Sequence, residues 1–234
     1  MLRGLLSCYR TPRWHSHIHL TGRNLSTAPL PRDFALHPDF FTVEEQCTLL
    51  KAALRKLDSM ESSRFRRRRR EFLQTGPPFN ANDPVLALFL PDRFYDFQEG
   101  HFDGVIRNYR EMHVTSWPED VPELLSLLQR LRQLHPEQDT QTHVLHLASA
   151  GEILPHVDNV EASGSWILGV SLGDERVMRL ERTSSPDEVY DIPLPSGSVY
   201  LQRDAVRYNY KHSILAKPDG RQRLSIVIRD RKAT

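Results

Sequence analysis

The chain is short of cysteine, of long apolar runs and of net charge, and each shortage removes a class of protein. Only Cys8 and Cys47 occur in 234 residues, too few for a disulfide framework, so a reduced, intracellular protein is expected. No apolar run approaches the roughly 20 residues that cross a bilayer as a helix, so no membrane span is expected. Lys and Arg number 31 against 30 Asp and Glu, and with an ordinary hydrophobic content the chain can bury a full core and carries no compositional sign of global disorder. No internal repeat is visible, and a monomer is expected.

The N-terminus differs from the rest. Arg3, Arg10, Arg13, Arg23 and Arg32 all precede the first acid, Asp33, among Leu, Ser, Thr and Trp14. That is the composition of a mitochondrial transit peptide, with cleavage expected near Ser26. Residues 1–32 are read as transit peptide and disordered N-terminus, residues 33–234 as one domain, and the mitochondrial matrix as its location. His15, His17 and His19 fall inside the presequence and are not counted as ligands.

The chemistry is concentrated near the C-terminus. In Gly151–Asp158 an extended backbone would point His156 and Asp158 to the same side, because residues two apart share a face. His212 lies in Tyr208–Ile214, which alternates as a strand does. Two imidazoles and one carboxylate in the order H-x-D…H can occupy one face of an octahedral iron(II) and leave positions open for a co-substrate and dioxygen. Along Arg223–Arg229 the residues Arg223, Ser225, Val227 and Arg229 share one face and Leu224, Ile226 and Ile228 the other. A guanidinium inside a barrel needs an anion, and its planar fork suits a carboxylate. Iron(II) with 2-oxoglutarate follows as the expected pair.

Around this core, Thr42 to about Ser59 reads as an amphipathic helix opened by a Thr42…Glu45 capping box. Further helices are expected from about Phe102 to His113 and from Pro118 to Leu134, the last opened by Ser116…Glu119. After Glu137 the pattern changes to short extended segments at roughly 142–148, 152–158, 166–172, 176–182, 188–194, 198–203, 207–214 and 223–230. The expected fold is mainly β with flanking α-helices, a double-stranded β-helix (jelly roll) of about eight strands. Residues 137–234 would form its core and residues 33–136 a mostly helical support and lid.

Two features stay open on the residues alone. Arg64 and Arg66 to Arg70 could contact phosphate backbones, including mitochondrial RNA, or an anionic membrane, or could be a solvated helix end or internal salt-bridge donors. Phe94, Tyr95, Phe97, Phe102 and Tyr109 could form a lid that stacks a flipped base, or a hydrophobic cover over the jelly roll.

Pro155-His156-Val157-Asp158, distal His212 and the Arg223…Arg229 pair resemble the AlkB family of iron(II)- and 2-oxoglutarate-dependent dioxygenases. His143-Val144-Leu145, Gly169–Leu172 with Val177–Leu180, and Gly197–Leu201 match in order and spacing, so the resemblance spans about Pro38 to Arg229. It implies that His156, Asp158 and His212 hold iron, that Arg223 clamps the distal carboxylate of 2-oxoglutarate, and that Arg229 assists near the metal. It further implies that Tyr200 and Ser225 supply hydroxyl contacts, with His143 and Leu145 lining the same pocket. The implied reaction is hydroxylation, or demethylation where the hydroxylated carbon is bound to nitrogen. Base-repairing relatives carry Asn-x-Tyr where this chain has His143-Val144-Leu145, which favours a mitochondrial protein substrate over RNA demethylation. A non-catalytic interaction protein is a second alternative. Roles in mitochondrial metabolism, including that of fatty acids, and in regulated necrosis are implied by the resemblance alone.

Overall fold

Alternation along Arg223–Asp230 sets the frame. Leu224, Ile226 and Ile228 point to one side, where they join a buried cluster with Leu49, Leu50, Leu57, Leu124, Leu127 and Leu131. The opposite side faces a second core that contains Leu145, Leu147, Met178, Leu180, Tyr200 and Ile214. A strand apolar on one face and polar on the other separates a helical layer from the opposing wall of the sheet, which curls over so that its two walls enclose the second, inter-sheet core.

The computed structural model describes residues 29–75, 83–136, 139–159 and 164–231; the presequence features from Met1 to Ala28, with Cys8 and the cleavage site, lie outside them. Ten strands occur: β1 Phe34–His37, β2 Gln98–Gly100, β3 Ile106–Val114, β4 Thr140–His156, β5 Trp166–Gly173, β6 Arg176–Arg182, β7 Ser185–Leu194, β8 Val199–Arg203, β9 Tyr210–Ile214 and β10 Arg223–Asp230. The helices are α1 Val43–Met60, α2 Ser63–Thr75, α3 Pro122–Arg132 and the short α4 Asp204–Asn209. The strands form one curled antiparallel sheet in the order β1-β8-β5-β10-β4-β9-β6-β7, with β3 beside β4 and β2 at its edge. This is a jelly roll with flanking helices.

Helix α1 starts where expected: the Thr42 side chain accepts from the Glu45 amide, and Glu45 returns a bond to the Thr42 amide, a box that stabilises such a terminus by about 1 kcal/mol. Its buried leucines, Leu49, Leu50, Leu54 and Leu57, each contribute roughly 1.5–3 kcal/mol. Helix α3 begins four residues later than the expected Pro118, at Pro122, and Val121 before it makes no side-chain cap. The ring of Pro122 supplies the helical φ, and its missing N–H would have had no partner in the first turn, so Ser116…Glu119 is not the helix start.

The helix expected from Phe102 to His113 is instead a hairpin, β2–β3. Asp103-Gly104 forms its tip, with Gly104 at φ 73°, and Asn108, at φ 50°, sits at a register shift between Arg107 and Tyr109. The extra residues there belong to β4, which runs from Glu152 to Leu147 while β3 goes from Arg107 to Tyr109; the left-handed Asn108 turns β3 so that Ile106 and Tyr109, three apart, meet the same inter-sheet core, and an irregular strand imitates helical spacing. A second difference concerns 142–148 and 152–158, which join in the single strand β4; Ser149–Gly151 is a bend and no turn. Here β4 leaves β10 and pairs with β9, and a Cβ on Gly151 would lie 2.7 Å from the Asn108 carbonyl oxygen. Glycine is what lets β3 and β4 bend together. A third difference lies at 207–214, where α4 precedes a shorter strand.

Candidate metal and oxoglutarate site

The antiparallel register of β4 and β9 sets His156 opposite His212, with ring centroids 4.3 Å apart. Asp158 follows just beyond the end of β4, and its Oδ1 lies 3.3 Å from His156 Nε2. One ligand atom from each of these residues falls within 4.8 Å of the others, the one such cluster found among the described residues.

Each side chain is held in a form able to ligate. His156 Nδ1 sits 2.9 Å from the Leu154 carbonyl, which aims Nε2 at Asp158; burial opposes the charged ring, but the Asp158 hydrogen bond and charge outweigh it and raise its pKa, so an ion at Nε2 would take the place of a proton. Burial keeps His212 neutral, with its pKa down at about 3. Burial works against the Asp158 carboxylate, but the His156 hydrogen bond and the nearby His212 and Arg229 outweigh it and hold the group well below the usual carboxylate range. Asp158 Oδ2 has no hydrogen bond among the described residues, although Arg229 Nη2 makes an ion-pair contact at 3.3 Å. Two imidazoles, that of His212 held neutral, and one carboxylate with a spare oxygen fit an iron(II) site with open positions.

Beside this triad the cavity, about 410 Å³, is lined by His143, Leu145, Tyr200, Arg223, Ser225 and Arg229, and also by His101, Asp103 and Glu111. Arg223 is 1% exposed. Its Nε donates to Ser171 Oγ at 3.1 Å, while Nη2 has no partner among the described residues. Burial pushes its pKa down to about 10, so it stays cationic at neutral pH. A buried cation with a free donor in a cavity calls for an anion. Tyr200 is buried, and burial raises its phenol, which therefore remains a donor. Its ring lies against Gly169, where a Cβ would come within 2.4 Å of the hydroxyl. At the rim, His143 Nε2 is 3.0 Å from His113 Nδ1, and burial, Arg229 and His113 lower the His143 pKa to about 4. Leu145 forms an apolar wall.

All nine residues singled out in the sequence thus line one cavity or its metal cluster. Ser171, His101, Asp103 and Glu111 were not singled out. Asp103-Gly104 is a hairpin-turn signal that would have placed His101 and Asp103 at a loop tip had the segment not read as helical. No local pattern marks Ser171, because its role depends on β5 lying beside β10.

The aromatic segment divides. Phe94 and Tyr95 pack with Leu90, Phe72 and Phe97 in a small buried cluster, and Tyr109 belongs to the inter-sheet core. Phe102 alone of the five projects from the hairpin tip, 95% exposed. The arginine run forms α2, and it too divides: Arg69 is buried, bonded to Glu61 and to the Phe94 carbonyl, whereas Arg64, Arg66, Arg67, Arg68 and Arg70 are exposed. Arg69 is therefore removed from any surface that could meet RNA.

The fold and this donor set define a class, and the sequence agrees: residues 33–229 match the 2OG-Fe(II) oxygenase superfamily, to which the chain belongs. Members of that class use iron(II), 2-oxoglutarate and dioxygen. Within it the chain is AlkB-like. It is 34% identical over 152 residues to the alpha-ketoglutarate-dependent dioxygenase alkB homolog 7, mitochondrial, of Mus musculus, and 35% identical over 152 residues to that of Bos taurus; each match covers 60% of this chain and 67% of the relative. Among solved structures, that of OsALKBH1 superposes with a TM-score of 0.53 at 16% identity, covering 87% of this chain and 100% of that one, a likeness of fold. The chain is a 2-oxoglutarate-dependent dioxygenase of the mitochondrial alkB homolog 7 type. No helix among the described residues is long and apolar enough to cross a membrane.

Proposed function

We propose that His156, Asp158 and His212 hold iron(II), that Arg223 binds the distal carboxylate of 2-oxoglutarate, and that the enzyme hydroxylates a protein substrate in the mitochondrial matrix. The observation that carries the reading is the buried Arg223 fork with its unpaired Nη2, lining the same cavity as the three ligating side chains. When bound, iron and oxoglutarate supply the oxidation of a C–H bond by dioxygen, coupled to loss of carbon dioxide and formation of succinate. The chain's own residues do the rest. Arg223 and Ser225 fix the co-substrate from β10, Tyr200 donates a hydroxyl from β8, Leu145 excludes water, and Arg229 balances the carboxylate of Asp158. His143 stands at the rim, neutral, and adds no charge.

A protein substrate is favoured by Asp103 and Glu111, carboxylates of the cavity lining that would repel a phosphate backbone. The RNA reading rests on the exposed arginines of α2. Implied roles in mitochondrial metabolism and regulated necrosis are part of the proposal, as is a monomeric state. The test is to give the enzyme protein and RNA fractions of mitochondria separately and measure succinate above background, with mass spectrometry for one added oxygen. Stimulation by protein with an oxygen incorporated supports the reading; stimulation by RNA with loss of base methyl groups replaces it.

A further inference from the structure

We infer that Arg207 is a positioning residue for the metal carboxylate, acting on Asp158 through its backbone; this rests on the ligand roles proposed above. Beyond His156 the chain leaves the sheet, and residues 157–159 belong to no strand, so something other than the ladder must orient Asp158. Arg207 is 2% exposed. Its Nη1 donates to the Asp158 carbonyl at 3.1 Å and its Nη2 to the Asn159 carbonyl at 3.4 Å. A planar fork across successive carbonyls fixes the orientation of the peptide between them, and thereby the direction in which the Asp158 side chain leaves the backbone.

The same short helix also holds residues 164 and 165, ahead of β5. The Tyr208 hydroxyl donates to the Gly164 carbonyl at 3.1 Å, and the Asp204 amide donates to that of Ser165 at 3.0 Å. Helix α4 then runs directly into β9, which carries His212. Val206, in the middle of α4, is anchored in the inter-sheet core. One element therefore delivers the distal histidine and holds the backbone carbonyls of Asp158 and Asn159, which couples the placement of the two ligands.

The experiment measures Mn(II) and Co(II) dissociation constants, the visible spectrum of the Co(II) form, and thermal unfolding of the metal-free chain for wild type, Arg207→Met, Arg207→Lys and Asp158→Ala. Arg207→Met is expected to weaken metal binding about 10- to 100-fold, as loss of groups that orient ligands does, with a Co(II) spectrum shifted toward that of Asp158→Ala. Arg207→Lys, whose ammonium can reach one carbonyl at a time, falls between. A purely structural role would lower thermal stability and leave the metal affinity of the folded chain unchanged. Wild-type affinity in folded Arg207→Met overturns the inference; if that variant does not fold, wild-type affinity in Arg207→Lys overturns it and a several-fold loss supports it. Tight metal binding by Asp158→Ala would instead contradict the ligand assignment.

Discussion

Arg223 and Ser171 meet between β10 and β5, with Arg223 Nε donating to Ser171 Oγ at 3.1 Å. That bond holds one edge of the guanidinium and leaves Nη2 for the cavity. Arg223→Ala should weaken 2-oxoglutarate binding about 10- to 100-fold, the value of a hydrogen bond to a charged group, with smaller losses for Ser171→Ala. Titration calorimetry with Mn(II) in place of iron measures both. Unchanged oxoglutarate affinity in Arg223→Ala would refute the assigned clamp.

Gly169 and Tyr200 are partners across β5 and β8, and no Cβ fits between the strand and the phenol ring. Gly169→Ala should displace Tyr200, cost about 1–3 kcal/mol of stability as an overpacked core does, and weaken oxoglutarate binding. Thermal unfolding with and without the co-substrate checks it. Wild-type stability and affinity would show that Tyr200 moves freely.

The arginines of α2 should behave unequally. Glu61 pairs with buried Arg69 and with buried Arg110, the latter at 2.8 Å. Asp58 also pairs with both guanidinium groups, so Glu61→Ala removes one of two shared carboxylates and is expected to cost about 1.5–3 kcal/mol. Alanine at exposed Arg64 or Arg70 should change stability by less than about 0.5 kcal/mol. Urea denaturation distinguishes them, and equal losses would contradict the buried network.

His146 is fully buried, its Nδ1 accepting from Arg110 Nε and its Nε2 2.9 Å from Gln222 Oε1. Burial first, and Arg110 second, lower its pKa well below 6.5. In the unfolded chain it protonates near its ordinary value, so the unfolded state binds the extra proton as pH falls below about 6.5. Stability is therefore complete above that pH and is lost toward acid, by up to about 1.4 kcal/mol per pH unit from this group. His146→Gln should flatten the slope measured by denaturation between about pH 7 and about pH 5; an unaltered slope assigns the acid sensitivity elsewhere.

The cluster of His156, Asp158 and His212 was legible because such chemistry needs rare residue types in a fixed order, and strand alternation placed Arg223, Ser225 and Arg229 on one face. The jelly roll was legible in its spacing of short strands. What escaped depends on contacts across strands or on irregular backbone. The irregularity at Asn108 gave β3 a helical rhythm, Gly151 bent one strand where two were expected, and α4 replaced the start of a strand. Ser171 and Arg207 act through neighbours distant in sequence, so no local pattern announces them. The split of the arginine run likewise depends on the bonds of Arg69 to Glu61 and to the Phe94 carbonyl, the latter 25 residues away.

The most direct test is succinate formation from 2-oxoglutarate by the purified enzyme with iron(II), comparing wild type with His156→Ala and Arg223→Ala. Iron-dependent turnover in wild type, abolished by His156→Ala and restored in Arg223→Ala by raised oxoglutarate alone, is the expected result. Turnover that survives His156→Ala, or a wild type that binds neither iron nor oxoglutarate, would contradict the assignment of this cavity as the oxygenase centre.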